Sequence, residues 1–332
     1  MPAAVESMIS SRVMPWHRLG VVIPGRASVA EALNLAHLAD WNVHTEPVLT
    51  RIDSRHYPLP RYRAIVRTSP VTGDPDPLAI VGLNYKPIQN EDAFAFGENI
   101  LDIGGAHVET AGSLHGGRTT WVLFATEDIT VPGTSDVLHT YLLVATTHDG
   151  TSSVTVKFTS IRVVCANTLG LALGQAAAPV YRVRHVGSGV VGRVADARAA
   201  LDLAHRGADA LADIAGEWAK VDVNEKEFTR ITERLFPLPH DPTPRQQKAN
   251  ATRRELLGHL YLHSPTQNAV RGTAWGVLQA AVEMADWYGR GSNDGARMAL
   301  RQIGSLSAGG FKAKAAGAVR AVKPRLRIKV AS

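Results

Sequence analysis

The 332-residue chain has a single cysteine, Cys165. A thiol nucleophile needs a neighbouring base and a third group to orient that base. His148 or His185 could supply the base and Asn167 the orienting amide, with Glu109 as an added carboxylate in a cleft. Against this, Ile161 and Val163 share the strand face of Cys165, which is the company of a small buried apolar side chain. Gly187, Gly189 and Gly192 spell GxGxxG before a helix, with Asp209 and Asp213 downstream, which would suit a dinucleotide. The preceding VYRVRHV carries Arg182, Arg184 and His185, where a doubly wound sheet needs a buried apolar strand. His259 and His263 stand four apart on a helix, yet Leu260-Tyr261 follows the first histidine with no glutamate in the next place, where a metalloprotease has one. No catalytic residue, cofactor or metal is therefore assigned.

Two basic segments point to a different chemistry. RIDSRHYPLPRYRAIVR interleaves Arg51, Arg55, Arg61, Arg63 and Arg67 with Tyr57 and Tyr62, and only Asp53 opposes them. Cations for phosphates and flat side chains for bases are what a single-strand groove requires. After Gly309-Gly310 the tail carries Lys312, Lys314, Arg320, Lys323, Arg325, Arg327 and Lys329 without one acid. Pro324 interrupts any helix there, and Arg325, Arg327 and Lys329 alternate with Leu326, Ile328 and Val330 as in a strand. The tail is expected to lack order alone and to grip phosphates or add an edge strand on meeting a partner.

The elements that must position these residues follow from patterning. Apolar content of 45% with 20% charged residues describes a globular chain with ample core. The formal charge of +6 favours a polyanionic partner. One cysteine rules out an internal disulfide framework and fits a reducing cytosol. The start MPAAVESMISSRV lacks the basic and apolar blocks of a signal peptide, and no apolar run reaches membrane length.

Ser28 with Glu31 forms a capping box for a short helix bearing Leu33, Ala36 and Leu38. Strands are predicted over 41–49 and 78–85, with a turn-rich loop over 69–77. A helix beginning at Asn90 buries Ala93, Phe96, Ile100 and Ile103. Two hairpins follow, 107–114 with 118–125 around Gly116-Gly117, and 138–147 with 152–159 across Asp149-Gly150. The apolar phase then jumps at Ile161, which implies a bulge or bend. From Arg193, Val194, Ala197, Leu201, Ala204, Ala208, Leu211, Ala215 and Trp218 recur at helical spacing, a packing seam or an oligomer seam. Thr243-Pro244 with Gln246, and Ser264-Pro265 with Gln267, open helices over 244–263 and 265–288, and another helix follows Ser292.

Several stretches together resemble a phage/plasmid-like protein family of unknown function. They are Trp16-His17-x-Leu19-Gly20, Tyr85-x-Pro87-Ile88-Gln89-Asn90 with Phe94 and Phe96, and Glu109-Thr110-Ala111-Gly112-Ser113-Leu114. His148-Asp149-Gly150, Arg162-Val163-Val164-Cys165-Ala166-Asn167-Thr168-Leu169, Arg184-His185 and Gly272-Thr273-x-Trp275 complete the set, over roughly 15–290. Gln279-Ala280 departs from the family pattern, which has an Asn-Ala pair there. The resemblance implies phage, prophage or plasmid origin and carries over no catalytic residue.

These readings give an α+β protein: an antiparallel, hairpin-rich sheet with a packed helix over 1–185, a helical domain over 186–308, and a basic tail over 309–332. The expected function is non-enzymatic binding of single-stranded nucleic acid, DNA before RNA, in phage or plasmid DNA metabolism. It is compared with annealing factors of the RecT and Erf types by analogy of architecture alone. The chain is expected in the host cytoplasm, off the membrane, as a homo-oligomer. The competing classes are an enzyme using Cys165, His148 and Glu109, and a structural or host-interaction protein using the helical half.

Overall fold

The computed structural model describes residues 4–12, 18–152, 154–159, 180–183, 190–288, 310–324 and 326. It combines antiparallel sheets with helices, the α+β class that the patterning predicts. Two compact units divide the chain. One comprises Ala3–Glu127 with His139–Gly207, the other Asp128–Leu138 with Ala208–Ser332. The division at Gly207/Ala208 falls inside a helix, and Phe311–Val322 belongs to the second unit.

The first unit is built from β1 (Val5–Ser10), β2 (Val21–Val22), α1 (Val29–Leu35), β3 (His44–Ile52), β4 (Arg55–Thr68) and β5 (Pro75–Gly82). α2 (Asn90–Phe94), α3 (Gly97–Gly104), β6 (His107–Leu114) and β7 (Thr119–Ala125) follow. β10 (Tyr141–Thr147), β11 (Val154–Thr159) and β12 (Val180–Val183) complete its sheet. The order of the larger sheet is β12-β11-β10-β7-β6-β1-β2, antiparallel throughout except for β1 beside β2. Both predicted hairpins, β6–β7 and β10–β11, are present, each turning at its predicted glycines. Apart from one half-buried end residue in each, consecutive residues of β6, β7 and β10 are buried, as in a sheet covered on both faces. Met8, Trp121, Leu123, Tyr141 and Leu143 form the core on one face. On the other, a side chain at Gly97 would strike Phe124 and Val29, so the start of α3 lies directly on β7.

Three local readings differ from the structure, each for a physical reason. The helix from Asn90 is two short helices, α2 and α3, and its N-cap is Gln89. The Asn90 side chain turns inward to polar partners instead of capping. Ala93, Phe96 and Ile100 are buried as the stripe requires, while the Ile103 side chain lies outside the described residues. The expected loop over 69–77 becomes β5 already at Pro75, because Thr68, Arg67 and Val66 continue to pair with it.

The second unit holds the small hairpin β8 (Ile129–Thr130) and β9 (Val137–Leu138). Its helices are α4 (Val190–Ala219, shared with the first unit), α5 (Glu225–Leu235), α6 (Pro244–His263), α7 (Ala274–Trp287) and α8 (Phe311–Val322). Of the predicted seam, Ala197, Leu201, Ala204, Ala215 and Trp218 are buried within the chain. Asn224 with Glu227 forms a capping box that starts α5, a helix not among those predicted. The α6 capping box at Thr243, Pro244 and Gln246 is present as predicted. Ser264-Pro265-Gln267 opens only one 3₁₀ turn, since the Ser264 hydroxyl bonds Glu283 (3.0 Å) rather than the backbone. The long helix waits for Thr273, which caps Gly276 N–H at 3.1 Å.

The tail also departs from expectation. Phe311–Val322 is a helix that buries Ala315, Ala318 and Val319 in the core of this unit, with Leu326 behind it. Pro324 falls just after the helix end, where proline costs nothing. Lys323 pairs with Glu227 at 2.6 Å. The phase break at Ile161, Cys165, Asn167, Trp16-His17, Arg184-His185, Gly187, Gly189 and the helix after Ser292 lie outside the described residues.

Candidate nucleic-acid interface

The arginine–tyrosine segment is the β3–β4 hairpin of the smaller sheet, whose order is β3-β4-β5. Asp53 and Ser54 make its turn with φ of 45° and 68°, the left-handed region that short polar side chains tolerate. β5 pairs only with Tyr62–Thr68, so Arg55–Arg61 and the facing part of β3 extend beyond it as a two-stranded ribbon. Cross-strand partners share a face. Arg55 opposite Ile52 and Tyr57 opposite Thr50 therefore lie on one side, while Arg51 opposite His56 and Leu49 opposite Pro58 lie on the other. Each face thus offers a cation beside an apolar group.

Between Leu49↔Pro58 and Pro47↔Arg63, β3 advances two residues while β4 advances five. Pro58 and Pro60 have no N–H to give the ladder, which fits a wide bulge at this place. The bulge carries Leu59, Arg61 and Tyr62 into solvent. Tyr57 is 44% and Tyr62 49% exposed, and Leu49 and Ile52 are both 55% exposed. Arg51, Arg55 and Arg61 are exposed and Arg63 half-buried, its guanidinium donating to the Tyr62 carbonyl. Among the described residues no ion pair joins these four arginines to a carboxylate.

Arg67, at the base of the same strand, is corrected out of this surface. It is 1% exposed, its guanidinium donating from Nε to Asp76 (2.9 Å) and from Nη1 to Glu6 (3.0 Å), with a second bond from Nη2 to Glu6 and Nη2 also in an ion pair with Asp76 at 2.8 Å. Burial alone would lower its pKa, but the two carboxylates raise it above the ordinary arginine value. Its guanidinium carbon lies 4.1 Å from the centroid of Trp41. Gly117, with φ of 81°, sits so close that any Cβ would collide with that guanidinium. An arginine so enclosed has no face for a phosphate.

The residues of the enzyme reading are likewise engaged in the interior. The His148 Nε2–H donates to Asn90 Oδ1 (2.9 Å), which also accepts from Thr120 (3.1 Å), while Asn90 Nδ2 donates to the Leu38 carbonyl (2.8 Å). His148 is fully buried with its ring 5.6 Å from Trp41. Glu109, also fully buried, accepts from Ser11 Oγ (2.9 Å) and Arg12 Nε (3.0 Å) beside His107. Burial holds His107 below the ordinary imidazole range, with Glu109 opposing the shift. His148 and Glu109 thus belong to separate sets of bonds, and Cys165 lies outside the described residues. Sequence reasoning missed the Asn90–His148–Trp41–Arg67 line because its members are far apart in the chain and follow no period.

Among the tail cations, Lys314 is exposed and Lys312 half-buried, whereas Arg325, Arg327 and Lys329 lie outside the described residues. His259 and His263 are exposed on α6 with rings 5.3 Å apart. Among the described residues no three His, Cys, Asp or Glu side chains converge as metal ligands. No helix among them is long and apolar enough to cross a membrane.

Comparison with known proteins adds one fact. No curated protein and no solved structure matches the chain. The model of a family described as a domain of unknown function (DUF932) matches residues 77–325, and the chain belongs to that family.

Proposed function

We propose that the protein binds single-stranded nucleic acid through the β3–β4 arm, without catalysis, in the DNA metabolism of a phage or plasmid. Strand annealing in the host cytoplasm is the activity that this reading favours. The single observation that carries it is the solvent-exposed ribbon in which Arg51, Arg55 and Arg61 stand among Tyr57 and Tyr62. Arginines meet phosphates bidentately, and exposed tyrosines stack on bases whatever their identity. The arm precedes the residues matched by the family model, so the reading rests on this chain's own residues. The phage or plasmid origin rests on the motif resemblance, and DNA is favoured over RNA on that ground alone.

Fluorescence anisotropy with one labelled oligonucleotide, alone and as a duplex, tests the reading. Tighter binding of the single strand, lost on removing Tyr57 and Tyr62, is the expected result. Equal or tighter binding of the duplex contradicts it. Mixing complementary strands with the protein then tests annealing, with a rate above the protein-free control expected.

A further inference from the structure

We propose that the arm of one copy docks into an acidic-rimmed groove on a second copy, so that the chain self-associates through the surface it offers to nucleic acid. The groove lies in the first unit, between α1 and the α2–α3 segment, with a volume of about 460 Å³. Val29, Leu33 and Ala95 supply its apolar lining, and Asp40, Glu91 and Glu98 its charges. Two of these carboxylates are held in place by backbone: Glu91 accepts from Asp40 N–H (2.6 Å) and Glu98 from Ala30 N–H (3.0 Å). Each spends one carboxylate oxygen on that bond.

The occupant follows from complementarity. Between 49 and 63, four arginines against Asp53 leave a formal +3, and the groove carries −3. The arm also presents Leu49, Ile52, Tyr57 and Leu59 to solvent, and an exposed apolar set alternating with cations suits an apolar floor inside an acidic rim. Those side chains are exposed within their own chain, so a second copy's groove is their fitting partner. Because arm and groove are different patches, each copy gives one and receives one, in a closed dimer or a chain of copies.

The inference shares its arm with the proposed nucleic-acid surface, but the groove separates the two experimentally. Sedimentation velocity on the full chain at low salt, without nucleic acid, should show concentration-dependent association. Asp40→Asn/Glu91→Gln/Glu98→Gln keeps the backbone acceptors while removing the charge, and should weaken association roughly ten-fold, as should Arg55→Glu/Arg61→Glu. In anisotropy, the groove variant should bind a single-stranded oligonucleotide at least as tightly as the parent, while the arm variant should not. A protein that stays monomeric, or a groove variant that associates like the parent, overturns the docking. Loss of oligonucleotide binding by the parent itself would overturn only the nucleic-acid reading.

Discussion

Strand β4 begins at Arg55 and reaches Arg67 one residue before its end, and the two arginines live in opposite surroundings. Arg55 is on a two-stranded ribbon with solvent on both sides, opposite Ile52. Arg67 lies under the β6–β7 turn against Trp41 and two carboxylates. Residue type and strand are the same, so what differs is what the fold brings to meet them. Glu6 and Asp76 come from β1 and β5, 61 and 9 residues away. The second unit repeats the contrast on a smaller scale: Lys314 faces solvent on α8, whereas Lys323 just past it is held by Glu227. A run of cations in a sequence therefore divides into those the fold neutralises and those it leaves in solvent.

The largest effect expected from this contrast is in the tail. Removing residues 311–332 takes Ala315, Ala318, Val319 and Leu326 from the core of the second unit. Their loss exposes apolar surface of α5 and α7, so the truncated protein should unfold there at ordinary temperature. Loss of helical circular dichroism beyond the deleted segment would show it. An intact melting transition would restore the reading of this tail as an unstructured basic extension.

Next in size is the buried arginine. Arg67→Met leaves Glu6 and Asp76 facing each other without their cation, which costs about 3–5 kcal/mol when such a pair is fully buried. The lower end applies here, because Asp76 is 37% exposed. Arg55→Ala should stay within about 0.5 kcal/mol of the parent. Urea unfolding of both variants measures the difference, and similar destabilisation of the two would erase the distinction between the ends of β4.

Smaller still is the contribution of each tyrosine on the arm. Tyr57→Ala or Tyr62→Ala should cost about 1–3 kcal/mol of single-strand affinity if a base stacks on each ring, with little change in stability. Anisotropy titrations give the first quantity and thermal melts the second. A drop in stability with affinity unchanged would make the rings structural.

Local signals in the sequence carried much of the fold. Glycine turns with flanking alternation placed β6–β7 and β10–β11, and capping pairs at Ser28/Glu31 and Thr243/Gln246 placed two helix starts. These are short-range devices, complete within a few residues. What the sequence hid depends on distant partners. Nothing near Asn90 announces that its amide will serve Leu38, Thr120 and His148 rather than a helix end. Nothing near Ser264 announces Glu283. The arm was legible as a basic, aromatic segment, but its exposure and the exclusion of Arg67 required the sheet that surrounds its base.

The measurement closest to the central claim is the salt dependence of single-strand binding for the parent and for Arg55→Ala/Arg61→Ala/Arg63→Ala. Each phosphate that an arginine neutralises contributes about 0.7 to the steepness of log K against log salt, so removing three such arginines should flatten the slope by about 2. That flattening, with weaker binding at low salt and an unchanged melting temperature, is the result the exposed arm predicts. A slope and affinity equal to the parent's would contradict the arm as the nucleic-acid surface.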